Sequence, residues 1–412
     1  MKPSKRRVLF VGEAVTLSHV ARPVVLARAL DRERYDVTLA CDPRYGSLLQ
    51  DLPFPLIPLK SAVPQDRLLE ALNGRQPLFD VGTLDAYVQE DLRLIKEHTP
   101  DIVVGDMRQS LAISGKLAGV TYLNIINAQW SPYSSAELEL PDNPLAPFLG
   151  EALAQFAQRM AAPLGFAPHT IPLNVVSLKY GLPATGLDIK QAFSLGDYVA
   201  YPDIPEILPT SGLPATHSYL GPILWSPKVP LPGWWQSVPE DRSIVYVNLG
   251  SSGQHDLLSV VLEALAPLPI SVMAATAGKT HVSTAPANCH LTDFLPGDEA
   301  GARAQLVICN GGNMSGQQAL AAGAPILGVV SNVDQMAFAR AVSRTGAGEV
   351  LREREVNAPV LRRVVWRMLA EQKYRDAARR LASRYAETNS ASRFRDLIDR
   401  IFNVPADGHL RQ

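Results

Sequence analysis

Short apolar runs alternate with amphipathic stretches along the first half of the chain, and this alternation predicts a parallel sheet covered by helices. Residues 7–12 and 101–105 are almost wholly apolar, as expected of strands that are buried on both faces. A helix is expected from Pro23 to Leu30, because proline is favoured in the first turn of a helix. The pattern predicts further elements in this half: strands at 36–41 and 122–126 and a helix at about 83–97.

The alternation restarts in the second half, where an apolar run at 244–249 is followed by a glycine-rich turn and an amphipathic segment from about Asp256 to Ala266. This order of strand, turn and helix predicts a second Rossmann-like unit. The pattern predicts these further elements: strands at 270–274, 289–292, 306–309 and 325–329, helices near 315–322, 335–345 and 358–369, and an arginine-rich helical tail at 374–402.

A proline-rich segment separates the two halves. Its prolines are Pro222, Pro227, Pro230, Pro232 and Pro239. Neither a helix nor a central strand tolerates that density of proline, so we place an interdomain linker at 221–242. The linker divides the chain into an N-terminal domain at 1–220 and a C-terminal domain at 243–385. Residues 386–412 are expected to form a C-terminal helix and tail that either stays solvated or packs back on the N-terminal domain.

Composition and charge favour a two-domain protein that binds a small ligand. With 412 residues, 47% of them hydrophobic, the chain can bury two cores. The 39 basic and 40 acidic residues nearly cancel and form no dense basic block, so neither nucleic acid nor an anionic membrane surface is expected as a partner. Three scattered cysteines fit neither a disulfide framework nor a cysteine metal site. No apolar stretch reaches the roughly 20 residues of a transmembrane helix, and no signal peptide is expected, which together favour a cytoplasmic location.

Two polar residues that follow predicted strands of the first half are candidates for catalysis. Ligands of parallel α/β sheets bind beyond the carboxyl ends of the strands, where His19 and Asp106 both lie. A carboxylate bonded to one imidazole nitrogen leaves the other nitrogen free to remove a proton from a hydroxyl group. The two residues are therefore predicted to form a general-base dyad. The structural alternative is that His19 caps or packs against the helix that follows it.

Two glycine-rich turns, each between a strand and a helix, are candidates for holding a phosphate. Glycine permits a tight turn and close backbone approach, and a helix N-terminus offers free N–H groups with a partial positive charge. Neither turn is a Gly-x-Gly-x-x-Gly fingerprint or a Walker P-loop, so ordinary turn formation is the alternative. The candidate residues are Gly250, Ser251 and Ser252 in the first turn and Asn310, Gly311, Gly312, Asn313 and Ser315 in the second.

Three further residues stand at strand ends and could contact a sugar or an acceptor. Asp334 and Gln335 open a helix, where a carboxylate and an amide can bond to sugar hydroxyls. Asp334 is equally suited to cap that helix. Trp130 follows the strand at 122–126 and is suited either to stacking on an acceptor or to plugging the domain interface.

Taken together, these segments resemble the nucleotide-sugar-dependent glycosyltransferases of family 1. These UDP-glycosyltransferase-like enzymes have the GT-B fold, in which the parallel sheets of two Rossmann-like domains face each other across a cleft. Residues 18–23 look like the family's Gly-His-x-x-x-Pro segment, whose histidine is the catalytic base, and Asp106 stands where the family has the aspartate that orients it. Residues 307–348 follow the family's donor-binding signature, including the glycine pair 311–312 and the Asp-Gln pair 334–335.

The donor signature departs from the family pattern in several side chains. The family's first histidine is Asn310, a glycine is Met314, a threonine is Ser315, and the glutamate that holds the ribose hydroxyls is Gln318. Asn310 and Gln318 can still form hydrogen bonds, but as neutral side chains they offer less help with the diphosphate charge and with ribose recognition. An inactive copy of the family is an alternative, against which the retained dyad argues.

The resemblance implies an inverting transfer in which His19 deprotonates an acceptor hydroxyl that attacks the anomeric carbon of a UDP or dTDP sugar. Backbone amides of residues 311–315 and of the 250–252 turn would stabilise the leaving diphosphate. The chain has no Asp-x-Asp motif, so neither a metal nor another cofactor is expected. The aromatic and aliphatic N-terminal loops favour a small lipophilic acceptor. A sugar-nucleotide epimerase of the same architecture and a non-catalytic nucleotide-sugar-binding protein are the alternatives.

Overall fold

The computed structural model describes residues 5–49, 51–61, 71, 76–141, 143, 145–250, 255–278 and 285–403. Within these ranges the chain forms two parallel sheets flanked by helices, which confirms the predicted α/β class with two Rossmann-like domains. No helix in these ranges is both long and apolar enough to span a membrane.

The first sheet has seven parallel strands in the order β3-β2-β1-β4-β5-β6-β7. They are β1 (Arg6–Gly12), β2 (Tyr35–Cys41), β3 (Leu56–Pro58), β4 (Ile102–Asp106), β5 (Thr121–Ile125), β6 (Tyr198–Tyr201) and β7 (His217–Tyr219). β1 is buried on both faces, because Val8 and Phe10 pack into one hydrophobic cluster while Leu9 and Val11 pack into another. The helices here are α1 (Ser18–Ala29), α2 (Val81–His98), α3 (Leu111–Ala118), α4 (Ala146–Leu149), α5 (Glu151–Gly165), α6 (Ala167–Lys179) and α7 (Ile189–Phe193).

The second sheet has six parallel strands in the order β10-β9-β8-β11-β12-β13. They are β8 (Ser243–Asn248), β9 (Ile270–Ala275), β10 (Cys289–Thr292), β11 (Leu306–Cys309), β12 (Ile326–Val330) and β13 (Gly348–Arg352). The helices here are α8 (His255–Leu265), α9 (Gly297–Arg303), α10 (Asn313–Ala321), α11 (Val333–Arg344), α12 (Ala358–Ala370) and α13 (Gln372–Ala386).

Each sheet reverses its strand order once, and the reversal places the candidate residues. In the first sheet the reversal lies between β1 and β4, and in the second between β8 and β11. A crevice opens beyond the carboxyl ends of the strands at such a point. The loop after β1 is therefore brought beside the end of β4, and the turn after β8 beside the turn after β11.

Two segments join the domains. Between β7 and β8 the chain forms neither strand nor α-helix, only one 3₁₀ turn at Trp235–Ser237. The arginine-rich tail, predicted as one helical stretch, is two helices: α13 and a last helix, α14 (Ser390–Asn403). α14 packs against the first sheet, where the ring centroid of Phe394 lies 5.9 Å from that of Phe10. The end of the described chain therefore returns to the N-terminal domain.

The start of α1 differs from its sequence prediction. The helix begins at Ser18, so Pro23 lies inside it and His19 lies in its first turn. Pro23 has no N–H to donate to the carbonyl of His19, four residues earlier. That carbonyl approaches β1 instead, since a Cβ on Gly12 would lie 2.7 Å from it. Glycine at the end of β1 thus allows the first turn of α1 to pack closely against the strand end.

Candidate active site

His19 and Asp106 meet at the reversal point of the first sheet. Gly12 of β1 lies opposite Asp106 of β4, and His19 follows in the first turn of α1. His19 Nδ1 lies 2.7 Å from Asp106 Oδ1, with the carboxylate fully buried and the imidazole 15% exposed. His19 Nδ1 also lies 2.9 Å from Arg22 Nη2. In the tautomer whose Nδ1–H donates to the carboxylate, Nε2 is the basic nitrogen. The pair can remove a proton from a hydroxyl group placed beside Nε2.

Arg22 joins this pair and was missed by the sequence analysis. It is buried and donates from Nε to Asp106 Oδ2 at 2.8 Å and from Nη2 to Asp106 Oδ1 at 2.6 Å. This two-point bond fixes the plane of the carboxylate. Its sequence signal is the spacing of three residues from His19, which puts both side chains on one face of α1. We call His19, Arg22 and Asp106 the base cluster.

A second set of buried charges lies at the same edge of the first sheet. Arg108 is fully buried and donates to Glu13 Oε2 at 2.9 Å and to Asp91 Oδ1 at 3.1 Å. Its guanidinium also lies 3.5 Å from the ring centroid of Tyr87. Burial raises the pKa of both Glu13 and Asp91. We call Glu13, Asp91 and Arg108 the buried cluster, none of which the sequence analysis selected.

Gly250, the described residue of the first glycine-rich turn, lies against the second turn at the reversal point of the second sheet. Gly250 has a φ of +72°, and a Cβ there would lie 2.8 Å from Asn310 Nδ2. Gly311 has a φ of +74°, and a Cβ there would lie 2.7 Å from Val330 Cγ1, so a side chain is excluded by both backbone and space. Asn310 Oδ1 accepts a hydrogen bond from Gly312 N at 3.0 Å and closes the turn. The first amides of α10 are thereby presented at the cleft, as an anion site requires.

A cleft of about 160 Å³ lies between the domains and adjoins both candidate sites. From the first domain it is lined by Thr16, Leu17 and Ser18, the residues that directly precede His19. The second domain contributes Gly250, Asn310, Gly312, Met314, Ser315 and Gln318. Ser251 and Ser252, also predicted to hold phosphate, lie outside the described residues. In the described ranges, no group of three or more His, Cys, Asp or Glu side chains is placed to hold a metal ion.

The side chain of Gln318 is engaged with the linker. Its Nε2 donates to Ser226 Oγ at 3.1 Å and to the carbonyl of Trp225. A Cβ on Gly297 would lie 2.6 Å from Gln318 Oε1, so this glycine makes room for the amide. The residue that stands for the family's ribose-holding glutamate therefore lines the cleft while its amide nitrogen binds the linker.

Asp334 and Trp130 contact each other across the domain interface. Trp130 Nε1 donates to Asp334 Oδ1 at 2.6 Å, and the indole is 5% exposed with its ring 5.0 Å from that of Phe193. Of the two roles considered for Trp130, this conformation shows the interface plug. The N-cap of α11 is Asn332, whose Oδ1 accepts from Gln335 N at 3.0 Å, so Asp334 is not the cap. Gln335 turns inward, where its Oε1 accepts from the backbone of Ser331.

Asn313 links the second glycine-rich turn to the first domain through its side chain. Its Oδ1 accepts from Gln129 Nε2 at 2.8 Å, and its Nδ2 donates to Asp203 Oδ1 at 2.9 Å. Gln317, one turn further along α10, donates to the same Asp203 oxygen at 2.8 Å. Burial raises the pKa of Asp203 to about 6. The sequence analysis missed Gln129 and Asp203, although both follow strands of the first sheet, as His19 does.

Known proteins resemble this chain in sequence and in fold. The family model of the erythromycin biosynthesis protein CIII-like C-terminal domain matches residues 259–394. A PGL/p-HBAD biosynthesis glycosyltransferase of Mycobacterium tuberculosis strain H37Ra is 48% identical over 381 residues, 92% of this chain and 89% of that protein. A PGL/p-HBAD biosynthesis rhamnosyltransferase of Mycobacterium bovis strain BCG is 46% identical over 382 residues, 92% of this chain and 84% of that protein.

One solved structure shares the fold over nearly the whole length. It is the spinosyn rhamnosyltransferase SpnG complexed with thymidine diphosphate, with a TM-score of 0.69 at 17% identity. The similarity covers 95% of this chain and 99% of that one. At this identity the likeness concerns the fold alone.

Proposed function

Because this chain belongs to the nucleotide-sugar-dependent glycosyltransferases of family 1 and is a glycosyltransferase of GT-B fold, we propose that it transfers its sugar with inversion at the anomeric carbon. The observation that carries this proposal is the hydrogen bond between His19 Nδ1 and buried Asp106, next to Ser18, which lines the cleft. With Nδ1–H donating to the carboxylate, Nε2 serves as the base. A base on the acceptor side favours direct attack by the acceptor hydroxyl, and direct attack inverts the anomeric carbon.

The reaction needs one proton transfer and one displacement. His19 Nε2 takes the proton of the acceptor hydroxyl as its oxygen attacks the anomeric carbon, and Asp106 stabilises the imidazolium that results. The bond from the anomeric carbon to the diphosphate breaks with its electron pair moving to the phosphate oxygen. Amides at the N-terminus of α10 and at the Gly311 turn would stabilise that charge. We propose that no metal takes part, in keeping with the lack of an Asp-x-Asp motif in the sequence.

For the donor we propose a thymidine or uridine diphosphate sugar, with rhamnose as the first sugar to test. A close relative is named a rhamnosyltransferase, and SpnG is described as complexed with thymidine diphosphate. Asp334 supports the sugar-binding role, because Gln129 and Trp130 both bond to its Oδ1 and hold the carboxylate at the interface of the two domains. Its other oxygen can accept from a sugar hydroxyl.

For the acceptor we propose a small lipophilic compound that carries a hydroxyl group. Val15, Phe79 and Met107 belong to one buried apolar cluster, which extends from the first domain into the second. Val15 shortly precedes α1 and Met107 directly follows Asp106, so apolar side chains adjoin the base cluster. An acceptor bound against these apolar side chains would have part of its own apolar surface removed from water.

A transfer assay with a donor panel tests the proposed function. The purified protein is incubated with dTDP-rhamnose, UDP-glucose or GDP-mannose and with phenolic or aliphatic alcohols, with and without a chelator. We expect a glycoside whose anomeric configuration, read by NMR, is opposite to that of the donor, at a rate that the chelator leaves unchanged. A product of retained configuration would contradict the inverting mechanism. An epimerised donor formed without acceptor would favour the epimerase alternative.

A further inference from the structure

A chain of hydrogen bonds runs from the base cluster across the domain interface. Arg22 uses Nε and Nη2 on Asp106 and donates from Nη1 to Asn127 Oδ1. Asn127 in turn donates from Nδ2 to Asn313 Oδ1 at 3.3 Å. Arg22, Asn127 and Asn313 are each buried. One continuous path therefore joins the base, His19, to the first residue of α10.

The geometry of this path leaves Arg22 little freedom. A guanidinium is planar, and all three of its nitrogens are bonded here, two to Asp106 and one to Asn127. The side-chain amide of Asn127 bonds Arg22 with its oxygen and Asn313 with its nitrogen, so a rotation of that amide breaks both bonds together. The terminal torsion of asparagine has broad wells, so one bond alone would not hold the amide in place.

The position of Asn313 depends on the position of the second glycine-rich turn. It is the first residue of α10 and directly follows Gly311 and Gly312, the turn proposed to hold the diphosphate. Its side chain is bonded entirely to the first domain, to Asn127, Gln129 and Asp203. A shift of the turn on donor binding, or a separation of the domains, would therefore move the partner of Asn127.

We propose that Arg22, Asn127 and Asn313 are positioning residues through which the donor-binding turn holds the base in its productive orientation. When Asn313 stands where this structure has it, Asn127 is fixed, Arg22 is fixed, and Asp106 presents Oδ1 to His19. When the turn moves away, the Asn127 amide loses its hydrogen bond to Asn313. Arg22 is then less firmly positioned, and so is the Asp106 carboxylate that it binds. The base is then fully oriented only when the donor site is assembled. This inference rests on the proposed role of His19.

We call Arg22, Asn127 and Asn313 the relay. Two substitutions interrupt it at the domain boundary, one from each domain. Asn127→Asp keeps an oxygen that accepts from Arg22 but has no N–H to give to Asn313. Asn313→Ala removes the acceptor from the second domain and leaves Arg22 and Asn127 intact. The matched control is Glu139→Gln, because Glu139 forms a separate interdomain ion pair with Arg340 at 2.9 Å and does not touch the relay.

The test compares turnover with donor affinity in the full chain. With dTDP-rhamnose, or another donor that proves active in the transfer assay, we expect both relay variants to lower kcat at saturating donor by up to about 100-fold, the loss that a misplacement of a catalytic group by about 1 Å can cause. The dissociation constant of thymidine diphosphate, measured by calorimetry, should stay unchanged, and Glu139→Gln should keep wild-type kcat. This split is not expected of a residue that only stabilises the fold or only binds the donor.

Two results would overturn the relay. Wild-type kcat in Asn127→Asp would mean that Asn127 only anchors Arg22 within its own domain. A loss of thymidine diphosphate affinity in Asn313→Ala, with kcat kept, would mean that Asn313 serves donor binding. Because the two substitutions lie in different domains, misfolding of one leaves the other as the test. His19→Ala in the same assay reports separately on the base: if it keeps wild-type turnover, the proposed function fails whatever the relay variants do.

Discussion

Arg22 and Arg108 are both buried at one edge of the first sheet and both hold carboxylates, yet their surroundings differ. Arg108 is bonded to Glu13 and Asp91, whose side chains are almost fully buried, and also to Glu90. Arg22 holds Asp106, which also bonds a partly exposed imidazole beside the cleft. The buried cluster is thus closed, whereas the base cluster ends in an imidazole that is 15% exposed. Burial of charge alone does not distinguish a catalytic site, but the partly exposed imidazole of the base cluster does.

Substitutions in the two clusters should therefore affect different measured quantities. Removing a partner of a closed buried ion pair leaves an uncompensated charge and destabilises the fold. Removing a general base lowers the rate of proton transfer with little effect on folding. Substitutions in the base cluster should therefore lower the reaction rate, and substitutions in the buried cluster should lower the free energy of unfolding.

His19→Ala should have the largest effect on the reaction. A positioned base contributes about 100-fold to 10,000-fold, so turnover at saturating donor should fall by that order. The free energy of unfolding should hardly change, because the imidazole is partly exposed and Asp106 keeps its two bonds from Arg22. Initial rates and urea denaturation give the two values, with His98→Ala at the end of α2 as control. More than about a tenth of wild-type turnover, with chemistry rate-limiting, would assign the base to another residue.

Arg108→Met should have the opposite profile. Glu13 and Asp91 would stay buried without their cation, so the free energy of unfolding should fall by about 3 to 5 kcal/mol. Turnover per folded molecule should stay close to wild type. Urea denaturation measures the loss, and the control is Arg93→Met, which breaks an exposed pair with Glu97 and should cost less than about 1 kcal/mol. Equal losses in the two variants would mean that the buried cluster is not a structural centre.

Glu13→Gln should destabilise the fold less than Arg108→Met, because Asp91 still pairs with Arg108, and its distinguishing effect is a change in pH dependence. Burial raises the pKa of Glu13 in the folded protein above its ordinary value of 4.5. The folded state therefore binds this proton more tightly than the unfolded state, and stability is lost as the pH rises from that value through the raised pKa. Glutamine cannot ionise, so the variant's unfolding free energy should fall less steeply there, by at most about 1.4 kcal/mol per pH unit. Parallel curves for both proteins would contradict this.

Strand prediction succeeded for most strands that are buried on both faces, but it missed β6, whose Val199 and Ala200 pack into clusters on opposite faces of the sheet. β1, β4, β8 and β11 are apolar runs whose side chains pack into clusters on either side of the sheet, so composition alone marks them. β3 and β7 have three residues each, too few to show a period, and none of these residues is buried. β13 is an outer strand of its sheet and was missed because Gly348, Glu349 and Arg352 leave only two adjacent apolar residues, which do not form an apolar run.

The sequence predicted those site residues whose positions follow from the local pattern of a single strand and the loop after it. The rule that ligands lie beyond strand ends selected His19, Asp106 and the glycine turns. It could not show that Asn313 faces Asp203, because that contact depends on how the two domains pack. Arg22 was overlooked because α1 was expected to start after it, at Pro23, whereas the helix starts at Ser18 and carries both side chains on one face.

The central claim is that His19 and Asp106 act as one catalytic unit, and a double-mutant cycle in turnover tests it most directly. Initial rates at saturating donor are measured for His19→Ala, Asp106→Asn and the double variant, with calorimetry confirming that each binds the nucleoside diphosphate. If Asp106 acts by orienting the base, removing it costs little once His19 is gone, so the double variant should be nearly as active as His19→Ala alone. A double variant whose loss equals the product of the two single losses would show that the residues act independently and would contradict the account.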